Sequence, residues 1–393
     1  MMRIRILSTG LAVGAIVALV AAQSPQAPTF QVDPFWPKPL PNSWLFGSIT
    51  GVAVDARNHV WVVHRGAPSM TLRTEIGLAA SPPTAEFCCR PAPFVLQFDP
   101  AGNVVSDWGG PGEGYDWPQS PGGMTVDAKG NVWIAASGPA DPMPGARGRG
   151  STATPPPPDA HVLKFGPDGR FLLQIGKPGQ TGGSDSTTAL HRPTAVDVDS
   201  GAGEVYVADG MVNRRIVVFD AETGKYKRHW GAYGAKPDDA KTAPYDPAAP
   251  PSKQFSVPAC VTLANDGLVY VCDRRNNRIQ VFRKDGTFVK EGIVAKATRG
   301  DGSVWDIAFS SDPQQRFLYV ADGSNQKVWV LDRESLATTS SVGAGGRWPG
   351  HFYGVGSVAV DAAGNLYTGE TYEGKRLQKF TVKGSAPAKK ELP

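Results

Sequence analysis

One unit recurs six times along this chain, and that repetition constrains the fold more than any other feature. A short apolar run ends in a polar turn, and a second run carrying an aromatic residue follows it. The pairs are Gly51 to Asp55 with His59 to Val63, Met124 to Asp127 with Asn131 to Ala135, and Val196 to Asp199 with Glu204 to Ala208. They continue as Val261 to Ala264 with Leu268 to Val271, Ile307 to Ser310 with Phe317 to Ala321, and Val358 to Asp361 with Asn365 to Thr368. β-Branched and aromatic residues flanking Gly, Asn and Asp make each pair a β-hairpin. Each of the first five is followed by a second hairpin, turning at 101–103, 167–169, 222–224, 284–286 and 333–335. Four antiparallel strands repeated six times predict an all-β fold, a six-bladed β-propeller. One such sheet cannot bury both faces alone; six stacked radially bury them against each other. This explains a single domain over 393 residues.

The sixth unit has three strands, at 357–361, 365–369 and 376–382. The Thr29 to Asp33 segment is therefore expected to supply the outer strand of the last blade and close the ring. The chain divides into a leader at 1–22, an extension with the closing strand at 23–48, the propeller at 49–383 and a tail at 384–393. The leader carries Arg3 and Arg5, then an uncharged apolar run from Ile6 to Ala22 ending in Val20-Ala21-Ala22. Small residues there suit signal-peptide cleavage, and the run is short for a membrane span. The chain is thus expected to be periplasmic or secreted, with no membrane span after cleavage. Its net charge of +4 is too small for nucleic-acid binding to be expected.

Strand alternation places the tight turns on one face. The long insertions, at 66–93, 109–120, 137–160, 177–192 and 232–253, fall on the other. Five long loops on one face mark it as the working face. The run Gly148-Arg149-Gly150 and the prolines 155–158 suggest that one insertion is an extended crest.

Asn213-Arg-Arg-Ile216 and Asn276-Asn-Arg-Ile279, each after Tyr-Val-x-Asp, resemble NHL repeats. Over most of the mature chain the resemblance is to the peptidyl-hydroxyglycine amidating lyase propeller. The stretches that carry it are Gly51 to Asp55 with His64-Arg65-Gly66, Arg192 to Asp199 with Val207 to Gly210, and Val257-Pro258 with Cys272-Asp273-Arg274. The resemblance implies a channel-mouth zinc held by three histidines, but the matching positions are Gly122, Ala259 and Gly356. The family's catalytic tyrosine falls on Met211, and its acidic calcium ligand on Ser357. Its arginines persist as Arg65 and Arg274. The expectation is a lyase-like scaffold without that zinc site. No cofactor is assigned, and zinc or calcium held in some other way stays open.

Two arginines facing one mouth make a clamp for a carboxylate or phosphate. Arg65, Arg274, Trp305, Asp306, Asp209 and Met211 are the expected ligand-binding residues. Trp305 either plugs the channel or stacks on a ligand. Asp209, Asp273, Asp322 and Glu370, which end second strands, either face the mouth or cap the next turn. The expected ligand is a small anionic or peptide-like molecule. Two alternatives remain: a lyase or hydrolase using Arg65 and Arg274 with Asp306 or His64 as base, and a scaffold for a protein partner on the loop-rich face.

Four cysteines allow three pairings. If Asn265-Asp266-Gly267 is the hairpin loop, Cys260 faces Cys272, close enough for a disulfide; two buried thiols are the alternative. Cys88 and Cys89 are adjacent in the 66–93 loop. They are expected to form a vicinal disulfide, with Phe87 turned to the pocket as the tip of a lid.

Overall fold

A computed structural model describes residues 26–71, 74–138 and 156–387. The leader, the glycine-arginine part of the crest and residues 388–393 lie outside them. Six four-stranded antiparallel sheets form the blades. Their first strands are Ile49–Val54, Pro121–Val126, Ala195–Asp199, Pro258–Leu263, Asp306–Phe309 and Val355–Val360. The sixth sheet runs Val355–Val360, Leu366–Glu370, Leu377–Pro387 and, outermost, Gln26–Asp33. The N-terminal strand thus closes the ring, with Phe30 opposite Val382 and Val32 opposite Phe380.

The core is six separate apolar slabs, one between each pair of neighbouring blades. Between blades 1 and 2 it is Trp61, Val63, Met124, Ile134 and Phe165. Between blades 4 and 5 it is Tyr270, Ile279, Ile307, Leu318 and Val320. The innermost strands press so closely that glycine is needed. A Cβ on Gly51 would lie 2.7 Å from the Met124 nitrogen of the next blade.

Acidic residues at the ends of first strands order the tight turns. Asp55 accepts hydrogen bonds from the Arg57 and His59 amides and from Trp61 Nε1, at 2.8, 2.9 and 3.1 Å. Asp127 holds Trp133 Nε1 at 3.1 Å and Asp361 holds the Tyr367 hydroxyl at 3.0 Å. One backbone cap therefore also fixes the large aromatic of the second strand, and through it the inter-blade slab.

Both disulfides are formed. Cys260 pairs in register with Cys272 across the first hairpin of blade 4, at a Cα separation of 4.9 Å. Cys88 is bonded to Cys89. The tip carrying them does not behave as a lid over the channel. Residues 90–91 form a short parallel pair with Trp44–Leu45, and Ser43 Oγ donates to the Phe87 carbonyl. Phe87 itself is 79% exposed. The tip docks on the N-terminal extension because a loop with few charges and several prolines finds there both backbone partners and the apolar Trp44–Leu45 edge.

Candidate functional site at the channel mouth

The residues that end second strands share one task, and it is structural. In blades 3, 4 and 6 they accept a hydrogen bond from the backbone of the segment that feeds the blade, whereas Asp322 in blade 5 accepts from the Ser324 and Asn325 amides of the following turn. Asp209 accepts from the His191 amide at 2.8 Å, Asp273 from Ser256 at 2.8 Å and Glu370 from Tyr353 at 2.9 Å. In blade 1 His64 takes this place, its Nδ1 accepting from the Gly47 and Gly66 amides at 3.0 Å each. Arginines at or just before the start of third strands complete three of these knots: Arg215 on Asp209 at 3.0 Å, Arg278 on Asp273 at 2.8 Å and Arg376 on Glu370 at 2.7 Å. Asp322 instead receives Asn325 and Trp329 Nε1. These carboxylates are buried and fully engaged, so they cap and stitch rather than face a ligand.

The same geometry settles His64. Its Nδ1 is an acceptor, so Nε2 carries the proton and donates it to the Pro93 carbonyl at 2.8 Å. Burial pushes its pKa down to about 4. With both nitrogens committed, the imidazole is neutral and has no lone pair left for proton abstraction. Asp306 lies on the wall of a central channel of about 400 Å³. It accepts from Ser357 Oγ and the Val358 amide, both at 3.0 Å, and so joins blade 5 to blade 6. Burial raises its pKa to about 6. Asp197 does the same between blades 3 and 4, accepting from the Leu263 amide at 2.8 Å.

Arginines follow two of these positions. Arg65 follows His64, Arg274 follows Asp273, and the two guanidinium groups are near enough to repel each other, with Arg192 adding to the field at Arg65. Tyr372 lies beside both Arg65 and Arg274. Burial, ahead of these charges, pulls both arginines below their usual pKa, although a guanidinium stays protonated. No carboxylate pairs with Arg65 among the described residues, and its buried Nε has no hydrogen-bond partner. Arg274 Nε is likewise unpartnered, while its Nη2 forms an ion pair at 3.6 Å with Asp301, a carboxylate it shares with Arg275 at 3.1 Å.

Trp305 forms the wall behind Arg274. The guanidinium sits 4.7 Å from the indole centroid, and the Tyr372 ring meets the indole edge-on at 5.9 Å. Trp305 Nε1 donates to the Gly302 carbonyl at 2.7 Å. Gly323 and Gly356 leave the room the indole occupies. Met211 is half-buried, its amide donating to the Arg192 carbonyl at 3.4 Å.

Sequence reasoning missed Arg192 and Tyr372 as site residues. Both sit in connecting loops, where no strand periodicity reports side-chain direction. Their one shared signal, a positive φ of 58° and 49° at a non-glycine residue, is invisible in sequence.

The residues do not fit a three-histidine zinc centre. Gly122, Ala259 and Gly356 carry no ligating atom, and the Ser357 hydroxyl is taken by Asp306 and by the Val52 amide at 2.9 Å. Among the described residues no cluster of three His, Cys, Asp or Glu is arranged to hold a metal ion.

Comparison with known proteins agrees with the architecture. A family model for the NHL repeat matches residues 255–282. The chain is 28% identical over 259 residues to peptidylglycine alpha-amidating monooxygenase of Rattus norvegicus, covering 63% of this chain and 22% of that protein. It therefore spans about a fifth of that relative's length. It is 25% identical over 365 residues to peptidyl-alpha-hydroxyglycine alpha-amidating lyase 2 of Drosophila melanogaster, covering 86% of this chain and 72% of that one. A solved Bacteroides thetaiotaomicron protein of unknown function shares the fold at TM-score 0.52 and 14% identity, over 86% and 70% of the two chains.

Proposed function

We propose that this six-bladed propeller, which carries an NHL repeat and resembles the amidating enzymes' propellers, binds the carboxylate of a small or peptide-like molecule at its loop-rich mouth. The observation that carries the reading is the pair Arg65 and Arg274, each with a buried unpartnered Nε, with the Arg274 charge felt at Arg65. Buried like charges are costly, and an anion between them relieves both the repulsion and the unmet hydrogen bonds. Trp305 and Tyr372 add an apolar wall beside the charge, suited to a peptide-like group.

A second reading, catalysis of lyase type, is favoured by one observation. Tyr372 is partly exposed and packs edge-on against Trp305, the indole that also carries the Arg274 guanidinium, and a phenol there can donate a hydrogen bond or a proton to a leaving oxygen of a bound ligand. His64 cannot supply that step. Export is part of the proposal: two disulfides suit an oxidising compartment. Among the described residues no helix is long and apolar enough to cross a membrane.

Calorimetric titration with N-acetylglycine and with its neutral amide tests the binding reading. The carboxylate is expected to bind and the amide not. Arg65→Ala and Arg274→Ala should each weaken binding at least tenfold. Equal binding of acid and amide would refute the clamp.

A further inference from the structure

The face opposite the mouth carries a cleft of about 890 Å³ between blades 4, 5 and 6. Small-molecule sites commonly occupy about 300–1,000 Å³. Its origin is local. The turn between the first two strands of blade 5 spans residues 310–316, whereas its counterparts span only 55–59, 127–131, 200–203, 264–268 and 361–365. The longer turn carries Gln314 and Gln315, both of which line the cleft, and Gln315 accepts from the Asn265 amide of blade 4 at 2.8 Å.

The internal repetition supplies a control for the residue at its base. The aromatic side chain in the middle of each second strand has a polar end, and five of the six are satisfied within the protein. Trp61 donates to Asp55, Trp133 to Asp127, Tyr206 to Glu204 and Tyr367 to Asp361, while Tyr270 receives Arg333. The sixth is Tyr319. Its side chain is buried, with 2% of the residue exposed, and the Phe30 ring braces it edge-on at 5.5 Å. Its hydroxyl has no partner in the protein, and the residue lines the cleft. The hydroxyl is reached from the cleft, so it is free to bond a ligand there in place of solvent.

We propose that this cleft is a second binding site, for a neutral polyhydroxylated molecule of the saccharide class, anchored on the Tyr319 hydroxyl. The cationic groups around the cleft are already engaged, Arg316 with Asp312 at 3.6 Å among them, which leaves an anionic ligand no free cation among the described residues there. Arg333 pairs with Asp266 and donates to the Gln314 carbonyl at 2.9 Å. Lys290 is held by the Arg333 carbonyl at 3.0 Å and by the Glu334 carbonyl. Asp312 accepts from Ser310 Oγ. What remains are the Tyr319 hydroxyl and the polar side chains of Gln314, Gln315 and Glu334, which suit the hydroxyl groups of a sugar. The inference is independent of the anion site at the mouth.

The experiment is saturation-transfer NMR on the full chain with glucose, galactose, mannose, N-acetylglucosamine and maltose, each tested with and without glucose 6-phosphate as a charged competitor. At least one neutral sugar is expected to bind. Tyr319→Phe, which removes one oxygen and keeps the packing, should weaken it about five- to tenfold. Arg65→Ala/Arg274→Ala should leave it unchanged. The proposal fails if no neutral sugar binds at tens of millimolar, if only the phosphate binds, or if Tyr319→Phe has no effect. Loss in the arginine double variant would place the sugar at the mouth and also overturn it.

Discussion

Asp273 and Arg278 show how a residue that reads as a site can be structural. The carboxylate holds the incoming backbone at Ser256 and the Arg278 guanidinium at once, and neither partner is reachable from the channel. Removing one member strands the other as an uncompensated buried charge. Asp273→Ala should therefore destabilise the fold by about 3–5 kcal/mol in denaturant titration, while ligand affinity per folded molecule is unchanged. Asp306 makes a different prediction. Its raised pKa means that the folded chain holds a proton the unfolded chain has released. The stability this group contributes is present at low pH and lost as pH rises through about 6. Asp306→Asn removes that loss. The melting temperature of the variant relative to wild type should rise as pH is raised from about 5 to about 7.5, an effect of the order of 2 kcal/mol. His64, with its depressed pKa, titrates in the same range in the opposite sense but equally in both proteins, so it cancels from the difference. A difference independent of pH would show that Asp306 is not a buried titrating group.

At the level of elements, the hairpins were legible because their turns are short. A tight Asn-Asp-Gly turn leaves one register open, and it places Cys260 against Cys272 as observed. Closing that loop should be worth about 2–3 kcal/mol, measurable as the stability lost in Cys260→Ala/Cys272→Ala. The long loops were legible only as loops. Loop 66–93 was expected to cross the mouth; its tip docks instead on residues 43–45, through backbone hydrogen bonds that carry no sequence signature. Phe87→Ser should consequently leave carboxylate affinity at the mouth within a factor of two. A tenfold change would restore the lid. Arg192 and Tyr372 escaped notice for the same reason, since their direction is set by loop backbone rather than by strand alternation.

Over the whole molecule, six weakly self-sufficient sheets become one cooperative unit because each slab of core belongs to two blades. The ring is closed by a strand distant in sequence, Gln26–Asp33 on Leu377–Pro387. That closure was readable from a simple shortage, three strands where four were needed. The mouth stands in contrast to this well-matched frame. There, among the described residues, the fold leaves Arg65 without a carboxylate and gives Arg274 only a share of Asp301, which also pairs with Arg275, and this is the central claim. The most direct test is thermal denaturation against increasing N-acetylglycine at constant ionic strength. The account predicts a melting temperature that climbs with the carboxylate, by the equivalent of about 2.7 kcal/mol at a hundred times the Kd. It further predicts an Arg65→Ala/Arg274→Ala protein at least as stable as wild type without ligand and insensitive to the carboxylate. A double variant several kcal/mol less stable than wild type, or one still stabilised by the carboxylate, would contradict it.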